Sequence, residues 1–195
     1  MRDLDDRRVA RTRQALLIAF RELVFANGYE NVTVLEIVAR ANVGRSTFYE
    51  HFTGKDEILR ASMSPFLGVF AACVLAEAPP EPLVPVLDHL WSNRRLTDAI
   101  FTGPPRAILA RALAQMIEAG LEEMAGQGRM AIPPRLAGIQ LAEAQLALVE
   151  AWMRGKAHCA PVKLAAAFHA TTRAATLVLL AHADALPQAE SRNAA

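Results

Sequence analysis

Residues Thr33 to Leu59, TVLEIVARANVGRSTFYEHFTGKDEIL, constrain the fold more than any other stretch of the chain. Thr33 stands three residues before Glu36, the spacing of a reciprocal side-chain cap at a helix start. Val34, Ile37, Val38 and Ala41 then fall on one helical face. Asn42, which tolerates a left-handed backbone, marks the turn. A second short helix follows from Gly44 to about Glu50, with Phe48 and Phe52 one turn apart. Two short helices joined by a tight turn can place the second in a DNA major groove.

The surrounding chain reads as helix. Of 195 residues, 53% are hydrophobic, and strand-like alternation is scarce, so an all-α class is expected. A first helix is predicted from about Val9 to Ala26, with Leu16, Leu17, Phe20, Leu23 and Val24 on its apolar stripe. The charged dozen residues before it read as an exposed arm. Asn27-Gly28 stops the helix, and Tyr29 is expected to pack back on its last turn. Thr53 should cap a fourth helix that kinks or restarts at Ser64-Pro65.

The proline-rich stretch 78–82 breaks the chain. Further helices are expected after Pro85 to Leu96, from Pro104 to Met124, near Gly120 to Arg135, from Ala137 to Lys156 and from Pro161 to Ala183, about nine in all. Gly126-Gln127-Gly128 reads as a stop. The expected division is residues 1–62 for the helix-turn-helix part, 63–186 for a helical effector-binding and dimerisation part, and 187–195 for a disordered tail.

Charge and composition exclude several functions. The net charge is +1, and residues 1–60 hold ten Lys/Arg against nine Asp/Glu, so the chain is no coat for nucleic acid. A few well-placed cations must carry any DNA binding. Cys73 and Cys159 lack partners at metal spacing, which fits a reducing cytoplasm. The uncharged run 61–76 is shorter than the roughly 20 residues a membrane span needs. No phosphate loop, zinc motif, nucleophile motif or cofactor signature is present, so neither an enzyme nor a metal site is expected.

The string Thr33-Val34, Ile37, Ala41, Val43, Thr47-Phe48-Tyr49, His51-Phe52 and Lys55 resembles the TetR family of bacterial transcriptional regulators. The resemblance covers Arg11 to Leu59 closely, and the remainder by helix layout. It implies a homodimer on a palindromic operator, a repressor more readily than an activator, released by a small apolar or aromatic effector. Thr33, Thr47, Tyr49, His51 and Lys55 correspond to phosphate-contacting positions. Arg45, with Ser46 second, lies where side chains meet base edges; one more phosphate contact is the alternative for Arg45. Gly44 replaces the family's usual Ser and Asn42 its usual Gly, which leaves the turn intact and the operator sequence open. Phe48 and Phe52 read as core.

In the C-terminal part, Leu146, Val149, Met153, Leu164, Phe168, Ala175 and Leu179 are the candidate dimer surface, unless one protomer uses those faces itself. Trp91, Phe101, Met116 and Trp152 are candidates for an effector pocket, with plain core as the alternative. Two rival functions remain: an all-α enzyme or carrier, and a DNA-organising protein that needs no effector.

Overall fold

A computed structural model of the chain describes residues 2–97, 100–125 and 130–181. Its described residues form nine α-helical segments and one 3₁₀ turn, with no strand. The first helix, α1, runs Arg2–Asn27, so the expected arm is helical from its second residue. Arg, Leu and Ala are good helix formers, and no Gly or Pro interrupts this span. Gly28 then adopts φ 77°, and Tyr29–Asn31 form the 3₁₀ turn. Tyr29 does pack back: it is buried, and its ring meets Phe20 edge-on at 6.4 Å.

Thr33 caps α2, Val34–Ala41, through a complete reciprocal box with Glu36. Asn42 takes the left-handed conformation at φ 53°, ψ 48°, as expected. Gly44 caps α3, Arg45–His51, without a side-chain bond. Phe48 and Phe52 are buried and lie 5.7 Å apart, so both belong to the core.

Helix α4 spans Lys55–Leu75 and contains Pro65 without a restart. Pro65 is exposed, and on the solvent side a carbonyl that lacks its N–H partner can be hydrated. Leu67 and Phe70, buried on the inner face, hold the helix past it. The cap also differs from expectation. Gly54 is the cap residue, while the Thr53 N–H and hydroxyl donate to Glu57 at 2.5 and 2.6 Å. By length and apolarity α4 could cross a membrane, but its apolar side packs on α1 and on helices further along the chain.

After the proline stretch, α5 is Leu83–Ser92, with Pro85 accommodated in its first turn. The expected continuation to Leu96 is instead a separate one-turn helix, α6, Arg94–Thr97. Helix α7, Gly103–Ala125, takes in residues 120–125 of the helix expected near 120–135, and the described residues 130–133 are not helical. Residues 130–133 lead into α8, Pro134–Met153, and α9 is Pro161–Ala181. The glycine stop at 126–128, the last two residues of the expected final helix, and the 187–195 tail lie outside the described residues.

Helices α7 and α8 make the most extensive pairing, and α4 lies against α1, α7 and α9. A Cβ at Gly138 would stand 2.7 Å from the Ala114 carbonyl oxygen, which marks the close approach of α7 and α8. One continuous apolar core runs from Leu16 in α1 to Phe168 in α9. Both cysteines are free thiols. Cys73 is buried, and burial pushes its thiol up to about 12.

Candidate nucleic-acid interface

The helix-turn-helix element forms because three local signals agree: a capped α2, a left-handed Asn42, and a buried Phe48 that fixes the rotation of α3. With Phe48 inward, Arg45, Ser46 and Tyr49 face solvent. The Arg45 guanidinium lies 5.8 Å from the Tyr49 ring centroid, a contact that orders its long side chain on the exposed face. Thr47 and His51 are half-buried, and the His51 ring lies beside Phe52 at 6.4 Å. Arg13, which sequence reasoning passed over, stands 5.2 Å over the Phe52 ring and brings a cation from α1 to the end of α3.

Thr33 is exposed, but its donors are engaged. Its N–H and its hydroxyl each donate to Glu36 Oε2 at 2.8 Å, and the hydroxyl accepts from the Glu36 N–H at 3.3 Å. These hydrogen bonds hold the Glu36 carboxyl below its ordinary range. A phosphate at this helix start must therefore replace the Glu36 carboxylate or use the amides beyond Thr33.

Lys55 is half-buried and also engaged. Its Nζ donates to the carbonyls of Tyr29 at 3.0 Å and Glu30 at 3.3 Å, and sits 4.4 Å from the Tyr29 ring centroid. The Tyr29 hydroxyl donates to Asp56 Oδ1. Sequence periodicity had marked Tyr29 for packing only; a buried phenol needing a hydrogen-bond partner was the available signal.

The remaining candidates are placed differently from expectation. Leu146, Val149, Met153, Leu164 and Phe168 are buried within the single chain, so they cannot bury again against a partner. Leu179 is half-buried, and Ala175 lines a groove of about 260 Å³ between α8 and α9 with Leu141, Ala144, Leu148 and Thr171. The outward apolar residues of these helices include Leu148 and Leu177. Trp91 and Trp152 stack on each other, Phe101 is buried and Met116 half-buried. None of the four lines that groove or the larger, charged one of about 470 Å³ along α7 and α8. Large rings here fill space instead of lining it. Among the described residues, no three His, Cys, Asp or Glu gather as metal ligands.

A family model described as bacterial regulatory proteins, tetR family, matches residues 16–62, which contain the whole of α2 and α3. Through this segment the chain is similar to the TetR family. It is 43% identical over 56 residues to the uncharacterised HTH-type transcriptional regulator YxbF of Bacillus subtilis (strain 168), and 35% identical over 71 residues to the HTH-type transcriptional regulator TcmR of Streptomyces glaucescens. Those matches cover 28% and 36% of this chain, and the chain spans only 15% and 31% of the two relatives' lengths. The fold extends further. A TetR transcriptional regulator from Streptococcus agalactiae 2603V superposes with a TM-score of 0.50 at 19% identity, covering 89% of this chain and 99% of that one. The TetR-family resemblance in the sequence and the all-α class therefore both hold.

Proposed function

We propose that this protein is a homodimeric, sequence-specific DNA-binding transcription regulator of the cytoplasm, acting as a repressor released by a small apolar effector. The observation that carries the proposal is α3. It is a short helix entered through a left-handed turn, rotated by buried Phe48 so that Arg45, Ser46 and Tyr49 face outward, within the segment that matches the family model. Arg45 reads a base edge, while Thr47, Tyr49, His51, Lys55 and the α2 start near Thr33 hold the phosphates.

The division into a DNA-binding part, 1–62, and an effector and dimer part, 63–186, is retained with α4 shared by both. Dimerisation uses the outward faces of α8 and α9, around Ala144, Leu148 and Leu177, in place of the buried residues first expected. A two-fold axis there sets the separation of the two α3 helices to match the half-sites. Effector release requires different affinities for two states of α4; a coupling of about 1–3 kcal/mol suffices.

The experiment is a mobility shift of the chain with the DNA upstream of its own gene, over a range of salt. Retarded DNA whose affinity falls with salt is expected; no retardation at any salt removes the proposal and favours the enzyme or carrier reading. The closed Trp91–Trp152 stack also suits a DNA organiser without an effector. Both tryptophans of the chain are in that stack, so their emission reports directly on any apolar compound that parts them.

A further inference from the structure

We infer that Tyr29, acting through Asp56 and Lys55, is a positioning residue that fixes the distance between the two phosphate-facing helix starts, at Thr33 and at Lys55. This rests on the DNA-binding reading above and adds what holds that surface in shape. Three contacts clamp residues 29–30 to the first turn of α4. The phenol donates to Asp56 Oδ1, the Lys55 ammonium donates to the Tyr29 and Glu30 carbonyls, and the same ammonium lies over the Tyr29 ring at 4.4 Å. They join residues 25 to 27 positions apart in sequence.

The clamp is firm on both sides. Gly28 supplies the positive-φ turn that swings Tyr29 under α1, where the ring is 4% exposed and meets Phe20. Only Glu30, Asn31 and buried Val32 separate Tyr29 from Thr33, so the α2 start moves with the clamped segment. On the other side Asp56 and Lys55 belong to α4, the helix that continues into the C-terminal part. A phenol donating to a carboxylate is charge-assisted, and strong for a single contact. Lys55 spends two of its three N–H donors on carbonyls and keeps one for a phosphate. Its first task is to hold residues 29–30.

Tyr29→Phe is the test, because it keeps the buried ring and the cation above it and removes only the hydroxyl. In the full chain with its upstream DNA, affinity should fall at least about tenfold, the lower end for one lost charge-assisted bond. The salt slope should not change, since no phosphate contact is lost. Asp56→Asn should weaken binding similarly, and the double variant no further than the weaker single one. In the DNA-free chain, amide hydrogen exchange over residues 29–36 should accelerate several-fold in Tyr29→Phe while α8 is unchanged; a purely structural role would loosen both. Should Tyr29→Phe fail to fold, Lys55→Met keeps a stem over the ring and should show the same local acceleration. Affinity within twofold of the parent, additive singles, or equal exchange over 29–36 would each overturn the inference. If the parent chain retards no DNA, the regulator reading fails, and the exchange comparison alone then decides the clamp.

Discussion

The rings of Trp91 and Trp152 stack with centroids 4.7 Å apart and planes inclined by 26°. Trp152 is nearly fully buried and its indole N–H donates to the Cys159 carbonyl at 2.8 Å, while Trp91 is half-buried under the Arg94 guanidinium at 4.3 Å. Trp152→Ala should therefore cost about 3–5 kcal/mol and Trp91→Ala less. In a double-variant cycle by urea unfolding, the pair should couple by about 0.5–1.5 kcal/mol. Strict additivity would mean that the stack contributes nothing beyond two separate burials.

Gly138 tests the closest helix contact. Alanine is the better helix former by about 1 kcal/mol, so on propensity alone Gly138→Ala should stabilise α8. Its methyl group would meet backbone atoms, the Ala114 oxygen at 2.7 Å and the Glu118 nitrogen at 3.2 Å, which cannot rotate away. The clash should win, with a net loss of about 1–3 kcal/mol read as a lower melting temperature. A higher one would show that α7 and α8 can slide apart freely.

Arg45 and Lys55 should separate in DNA titrations. Arg45→Ala should cost about 1–3 kcal/mol and relax preference at one base pair if the guanidinium makes a bidentate contact with guanine. Lys55→Ala should weaken all sequences alike and lower the salt slope by roughly one per chain, with added local loosening around Tyr29. The opposite pattern would exchange their roles.

Tyr29 gives a pH signature. Burial first, and then the hydrogen bond to Asp56, raise its phenol above the ordinary range. A raised folded-state pKa means that this contribution to stability is complete below the unfolded value, about 10, and is lost as pH rises toward the folded one. Tyr29 is one of two tyrosines, so it accounts for half of the phenolate absorbance. That half should lag in an alkaline titration, appear as the chain unfolds, and vanish in Tyr29→Phe. Full phenolate signal near pH 10 with the fold intact would contradict the buried, bonded phenol.

What was legible in the sequence was local. The Thr33–Glu36 cap, the Asn42 and Gly28 turns and the inward Phe48 and Phe52 each depend on residues within one or two turns of helix. What was misread depended on distant partners. The outward face of α8 and α9 could not be picked from periodicity, because alanines make both sides apolar and only contact with α4, α5 and α7 decides between them. Trp91 and Trp152 are 61 positions apart, and nothing local says that they close on each other. Asp56 looked like an ordinary acidic residue in a first helical turn; its bond to Tyr29 crosses 27 positions. Charge at the N-terminus concealed a helix, since the eye reads charge as solvation although arginine favours helix.

Helix α4 has a further consequence. Its buried residues run from Ile58 and Leu59, on the part that packs with α1, through Met63 and Leu67 to Phe70 and Val74, on the part that packs with α7 and α9. Ser62 is the polar residue among them, and the apolar core on either side of it is one body. Heating should then melt the chain in a single transition. Exchanging the N-terminal segment between relatives would have to preserve this helix entire, because a cut at residue 62 passes through the shared core.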